Sequence, residues 1–453
     1  MDIPPGARPV RGTLGLGRIL LIWLAANLVV TTILTGTMFV PSVPFADAVL
    51  WAGVGTLAGT AILSLIAVMG ARTGLSTMAL SRASFGLRGS QLPTIANVVI
   101  LMGWSWVQAM LAGLSVDYVV HDLTGFSQPA LFAAASEAIV VGIALFGHRA
   151  IERVEPLLGL LTLAVMAFIF QQALTRHSPG EYLELTGIPG GELMGIDVFD
   201  IAFATAISWT VLSADLTRAA RTQRAAAVGS SVGYATSTIL AMVLGIVCVS
   251  FVLLEGGGAR AFDPALILDA FGAPLAAVMF LSVMAANSMA LYGMTLTLRH
   301  AFPHRRPLPF VPTALGLGAA AVAGSTWLAL LERFTDFLST IGSLFIPVFA
   351  VMIVDYYLVR RRTITPDILR TSGGRYWFRG GWHAGAVVSW AVGAVCCGLL
   401  SFVWPSALGA MLPTVLVTAA TYLLWCRATG VQEAPGTTSR HLADALDESP
   451  ATA

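Results

Sequence analysis

Apolar residues run along this chain in long blocks with little alternation, separated by short stretches rich in Arg, Gly and Pro. Twelve blocks can be delimited, near 18–41, 49–70, 94–116, 130–147, 156–175, 196–213, 226–254, 274–298, 309–331, 337–358, 383–403 and 408–426. A hydrocarbon core about 30 Å thick is crossed by about 20 apolar residues in a helix. Backbone groups in lipid must be paired within the segment or in a closed barrel, and unalternating runs of this length exclude the barrel. The pattern therefore predicts an all-α polytopic membrane protein with about twelve transmembrane helices.

Composition supports the same solvent. Of 453 residues, 57% are hydrophobic and 11% charged, against roughly 25% charged in a soluble domain. Cys248, Cys396, Cys397 and Cys426 all sit in or at the end of apolar blocks, where thiols pack as small hydrophobes rather than forming a disulfide framework or zinc site. The first apolar stretch is long enough to span and lacks the cleavage site of a secretory signal.

All 25 basic residues are Arg, and with these spans only Arg176, Arg260 and Arg333 fall on one side. The positive-inside rule then places both termini in the cytoplasm, the expected setting being a bacterial inner membrane. The Arg clusters have anionic lipid headgroups as their expected neighbours. A net charge of +1 gives no reason to expect nucleic acid, and no obligatory protein partner is evident.

Ten spans followed by a separated pair suggest a transporter core over 16–358, with halves near 16–175 and 196–358. A cytoplasmic tail (1–15) precedes it; a loop (359–382), two added helices (383–427) and a disordered polar tail (428–453) follow. Secondary transporters often bind at the midplane, where paired helices are interrupted. The first block carries Ala25, Ala26, Asn27, Thr31, Thr32, Thr35 and Gly36, and the sixth reads Thr205-Ala206-Ile207-Ser208-Trp209-Thr210. Such residues tolerate an open backbone; they also serve as glue between helices.

Trp104 and Gln108 lie one helical turn apart in the third block. A flat indole beside an amide that both donates and accepts suits a planar, polar, uncharged ring; an interfacial Trp and a helix-pairing Gln are the alternatives. Asn287, deep in the eighth block, must find a partner in substrate or in another helix. Glu137 is the deepest charge, a functional acid by default or a structural one. Asp215 and Asp355 are expected to pair with Arg218 and Arg360, and Asp47, Asp117 and Asp336 to be solvated. Gly229-Ser230-Ser231-Val232-Gly233 matches a hydrolase elbow without the strand it requires. Gly55 and Gly59 predict close helix packing. Without an HExxH, Walker loop or Cys/His cluster, the reading is a carrier with no cofactor or metal, and not an enzyme.

The stretch Gly70-Ala71-Arg72-Thr73-Gly74-Leu75-Ser76-Thr77, with Ser81-Arg82-Ala83-Ser84-Phe85-Gly86-Leu87-Arg88-Gly89-Ser90, resembles the nucleobase:cation symporter-1 family, in particular its cytosine permeases. Gly103-Trp104, Ser213 to Arg218, Asn287 to Tyr292, and Asp355-Tyr356-Tyr357 extend the resemblance over about 15–427. It implies a five-plus-five inverted-repeat core plus two helices, importing a small neutral heterocycle such as cytosine, another base, hydantoin or allantoin by alternating access. A same-fold carrier of an amino acid or osmolyte is the runner-up, disfavoured by the neutral lining.

By position, the resemblance implies that Trp104 stacks on the ring, that Asn287 bonds its polar edge, and that Gln108 matches a glutamine of the hydantoin transporter. Ser208 and backbone near Thr205 would line the sixth-helix break, with Asn27 in the first. The family's second aromatic falls at Ala206, leaving Trp209 nearly a turn later. In sodium-coupled members the ion is held by first-helix carbonyls, here near Ala25 and Leu28, and by two eighth-helix hydroxyls. Those positions are Ala285 and Ala286, with Ser282 and Ser288 off register. Glu137 stands where cytosine permeases have a small residue, so H+ is the preferred coupling ion and Na+ the alternative.

Overall fold

The computed structural model describes residues 9–430 apart from 147, 189–190, 260, 273–274 and 301–307, together with residue 442. Arg260, the first eight residues and most of the polar C-terminal tail lie outside the described residues.

Among those described the chain is helical. The first half comprises α1 (Leu16–Asn27), α2 (Val30–Gly36), α3 (Phe45–Thr73), α4 (Thr77–Phe85), α5 (Gln91–Thr124), α6 (Pro129–Phe146), α7 (His148–Arg176) and the short α8 (Pro179–Leu183). The second comprises α9 (Gly195–Thr210), α10 (Ser213–Thr217), α11 (Gln223–Leu254), α12 (Pro264–Phe271), α13 (Leu275–His300), α14 (Phe310–Ser325), α15 (Ala329–Glu332) and α16 (Phe334–Ile353). Two further helices follow, α17 (Ala384–Phe402) and α18 (Met411–Ala428).

Among the described residues eight helices are long and apolar enough to cross a bilayer, and α1 with α2 forms a ninth traverse bent by 63°. The shorter apolar α6 and α14, and α9 continued by α10, complete the twelve that the hydropathy predicts. Leu50, Val54 and Leu57 on α3, and Val388, Val392 and Val395 on α17, stay exposed as apolar stripes. Patches of this kind mark surfaces meant for lipid or protein rather than water.

Two helix groups make up the core. One holds α1/α2, α3, α9/α10 and α11; the other holds α5, α6, α13 and α14; α7 and α16 pack between them, and α17 and α18 lie against α16. Glycines set the spacing inside the first group. A Cβ on Gly55 would come within 2.4 Å of Phe199 O, one on Gly59 within 2.5 Å of Ala206 Cβ, and one on Gly233 within 2.6 Å of Leu20 O. Gly55 and Gly59 thus act as the sequence predicts. The stretch containing Gly229 and Gly233 is a packing face against α1.

The loops at the end carrying the N-terminal segment are tied in. Thr13 and Leu14 donate backbone N–H groups to Ala219 O. Ser76 caps α4 by accepting from Ala79 N, and Gly74, at φ 75°, ends α3 in the left-handed conformation that favours glycine.

Candidate functional site

Trp104 is placed by a gap beside it. A Cβ on Gly103 would lie 2.4 Å from Phe337 Cε2, so the missing side chain lets α16 bring Phe337 onto α5. Phe337 and Phe334 then meet Trp104 edge-on, with centroids 5.4 Å and 5.8 Å away. The two phenyl rings stand nearly perpendicular to the indole, which stays half-buried. Trp106 points elsewhere, its Nε1 donating to Ala320 O on α14 at 3.2 Å. Gln108 is buried, with Oε1 lacking a partner among the described residues.

Beside these residues α5, α6 and α13 converge on a polar node. Gly113 admits Ala133 at a distance no side chain would allow, which seats α6 against α5 one turn before Glu137. Glu137 is fully buried. Its Oε1 accepts from Ser105 Oγ at 2.8 Å and its Oε2 from Asn287 Nδ2 at 2.5 Å. Asn287 Nδ2 also donates to Ser105 O at 3.3 Å, while Asn287 Oδ1 has no partner among the described residues. The two alternatives for Asn287 are thereby joined: its amide nitrogen is committed to neighbouring helices and its oxygen is free.

The first-helix interruption falls where the sequence predicts. Helix α1 stops at Asn27 and α2 resumes at Val30. Asn27 is buried, donates Nδ2 to Trp23 O at 3.1 Å, and keeps Oδ1 unpartnered. Leu28 N turns back to Ala25 O at 3.4 Å. The sixth-helix expectation needs correction, because Thr205 and Ser208 lie inside unbroken α9 and the interruption comes at Val211–Leu212. Their hydroxyls bond their own helix, Thr205 to Ile201 O and Ser208 to Thr205 O. Beyond the turn, Ser213 Oγ donates to Leu63 O and Thr217 Oγ1 to Ala67 O, fastening α10 to α3. Trp209 packs with Ile19, Trp23 and Tyr234, apart from the Trp104 cluster.

On α13, Ala285 and Ala286 are half-buried and bring no side-chain oxygen. Ser282 is buried, and Ser288 Oγ is spent on Met284 O at 2.8 Å.

Other acids behave less uniformly than expected. Asp47 and Asp336 are exposed. Asp117 is not solvated: it is buried and accepts from Ser127 Oγ and Gln128 N. Asp215 accepts from Thr77 N at 3.0 Å, capping α4 instead of pairing with Arg218. Asp355 does pair with Arg360, at 2.7 Å, and also accepts from Ser84 Oγ and Tyr422 OH. Asp200, which the sequence reading overlooked, accepts from Ala410 N and Met411 N at the start of α18. An acid one turn inside an apolar block, beyond Asp197 at its start, was its signal. Ser105 was also missed, because a serine between two tryptophans does not announce its partners. On α4, Arg82 is buried with Nη1 unpartnered, and burial pushes its guanidinium down to about 10. A cavity of about 370 Å³ lined by Arg176, Phe251, Glu255 and Asp269 lies toward the opposite end and holds none of the predicted site residues.

Twelve traverses, a broken first and sixth helix and a buried polar node define an integral membrane transporter rather than an enzyme. Residues 13–425 match the family described as permease for cytosine/purines, uracil, thiamine, allantoin, and the chain belongs to that family. It is 27% identical over 369 residues to the putative purine-cytosine permease YxlA of Bacillus subtilis, covering 75% of each chain. The inward-facing structure of Mhp1 superposes with a TM-score of 0.79 at 20% identity, over 95% of this chain and 96% of that one. Mhp1 closed around bromovinylhydantoin, described as a nucleobase-cation-symport-1 family transporter, gives 0.72 at 22% identity, over 95% and 97%. The fold is thus the five-plus-five inverted repeat with two added helices, in a transporter for nucleobase-like substrates.

Proposed function

We propose that the chain is a proton-driven symporter that imports a small neutral heterocycle, such as cytosine, another base, hydantoin or allantoin, by alternating access. Its membrane is the bacterial inner membrane, with both termini cytoplasmic: Arg72, Arg82, Arg88 and Arg360 to Arg362 lie at the end that holds the N-terminal segment, as the positive-inside rule asks. The carrying observation is the node itself, where Asn287 and Gln108 keep buried amide oxygens without partners among the described residues, Gln108 lying one helical turn from the half-buried Trp104. Stacking holds a planar ring by its face, and amides sort it by its edge.

The choice of proton follows from what lines the rest of the site. A sodium ion needs several oxygens to replace its water, and Ala285 and Ala286 supply none. Glu137 meets only neutral partners, Ser105 and Asn287. Closing the site around an uncompensated carboxylate is costly, and a proton removes that cost. The coupling therefore acts on closure.

Uptake into vesicles tests this directly. It should persist when choline replaces sodium, collapse with a proton ionophore, and lose its ionophore sensitivity in Glu137→Gln. Sodium-stimulated uptake indifferent to the ionophore would refute the proton reading.

A further inference from the structure

A primary amide has two N–H donors and one carbonyl acceptor, and at Asn287 the donors are already committed. Nδ2 faces Glu137 Oε2 at 2.5 Å and Ser105 O at 3.3 Å. Turning the amide over would set its oxygen against a carboxylate and a backbone carbonyl, three acceptors with no hydrogen between them. The amide orientation is thus dictated by its neighbours. Glu137 is in turn held from its other oxygen by Ser105 Oγ at 2.8 Å. What remains is Asn287 Oδ1, fully buried and unpartnered. Gln108 Oε1 is also buried and unpartnered, but no carboxylate fixes that amide, so it can present either polarity.

We infer that Glu137 is a positioning residue that fixes the Asn287 amide with its oxygen toward the ligand, so that the site selects rings presenting an N–H donor there and rejects rings presenting an acceptor. The substrates that fit are cyclic imides and amides, whose ring N–H meets Asn287 Oδ1 while a flanking carbonyl takes an N–H of Gln108. This rests on the proposed heterocycle reading and on Glu137 being ionised when the ring enters, before the proton that accompanies closure is taken up. It gives Glu137 work that continues whether or not a gradient is present.

The test is equilibrium binding to the full chain in detergent, with no ion gradient. The probes are uracil and hydantoin, each beside analogues in which a ring N–H is replaced by a ring oxygen, which swaps a donor for an acceptor at nearly constant shape. Wild type should bind at least one analogue of a parent on the order of ten- to a hundredfold more weakly than the parent, the penalty for opposing two buried acceptors. In Glu137→Gln the neutral side chain can donate as well as accept, so Asn287 can turn and the ratio should fall to within about threefold. A melting temperature without ligand close to that of wild type shows that the variant is folded, and a purely structural role would leave the ratio unmoved. Equal binding of parents and analogues by wild type would overturn the inference even if the variant does not fold. So would a wild-type ratio retained in Glu137→Gln. Failure of every ring, parent and analogue alike, to bind wild type is a different result, and overturns the heterocycle reading and this inference together.

Discussion

Glu137 and Asp355 are both withdrawn from solvent, at 0% and 1% exposure, yet their partners differ in kind. Asp355 faces a guanidinium, a phenol and a hydroxyl, from Arg360, Tyr422 and Ser84. Arg360 is satisfied in return, donating from Nη2 to Ala83 O at 2.9 Å and lying over the Tyr376 ring. Glu137 has a hydroxyl and an amide, neither charged. One acid is neutralised and woven into three segments; the other has no charged partner and lies close to an amide oxygen without one. A balanced buried acid fastens structure, whereas an unbalanced one leaves room for a ligand or a proton to change its state.

Removing a balanced partner should have the largest effect. Asp355→Ala leaves Arg360 buried without a counter-charge, which costs about 3–5 kcal/mol. We expect a steep loss of folded protein and a large fall in ligand-free melting temperature. Glu137→Gln keeps its shape and can keep both hydrogen bonds, so its ligand-free stability should move by less than about 1.5 kcal/mol. Equal losses in the two variants would dissolve the distinction between the sites.

An intermediate effect is expected at the ring platform. Trp104→Ala should remove most ligand affinity, a stacking loss of about 1–3 kcal/mol, while the protein stays folded around Phe334 and Phe337. Calorimetric titration with the best ligand, set beside thermal unfolding without it, separates the two. Unchanged affinity would make the indole a packing residue.

The smallest effect belongs to an exposed pair. His177 Nδ1 lies 2.8 Å from Glu181, and this hydrogen bond raises His177 above its ordinary value and holds Glu181 down to about 2. The histidine contribution is present below the unfolded value of about 6.5 and fades as pH rises through the raised one. The glutamate contribution is present above about 4.3 and fades as pH falls toward 2. Both are fully in place between roughly pH 4.5 and 6.5, and salt screens them. Melting curves of wild type and Glu181→Gln should therefore differ slightly in that window and converge at alkaline pH or high salt. A difference that persists in high salt would mean that the residue acts by packing.

The spans, the α1 interruption and the Asp355–Arg360 pair were legible because each is set by residues close in sequence. The α9 interruption was misplaced by a few residues for a physical reason. Serine and threonine can bond back to their own helix, as Thr205 and Ser208 do, so their composition reads alike whether the helix opens or continues. What fixes the turn at Val211–Leu212 is Ser213 and Thr217 reaching carbonyls of α3, 150 residues away in sequence. Glu137 and Asn287 are likewise 150 residues apart. Each could be singled out as a buried polar residue, but not as the other's partner. The nearest opposite charge makes Arg218 the natural partner for Asp215, whereas the buried first turn of α4 offers it the Thr77 N–H.

The last helix bears on where this carrier can be cut. Asp200 of α9 holds the first turn of α18 through Ala410 N and Met411 N, and Tyr422, near its other end, holds Asp355. Gly409, at φ 69°, stands where any Cβ would strike the Asp200 carboxylate. Excising the chain after the tenth traverse would strip two acids of hydrogen-bond donors that hold them at helix–helix contacts, a costly loss for buried polar groups. For this protein the smallest autonomous unit therefore runs through α18, and a shortened ten-helix version would need Asp200 and Asp355 redesigned before it could stand alone.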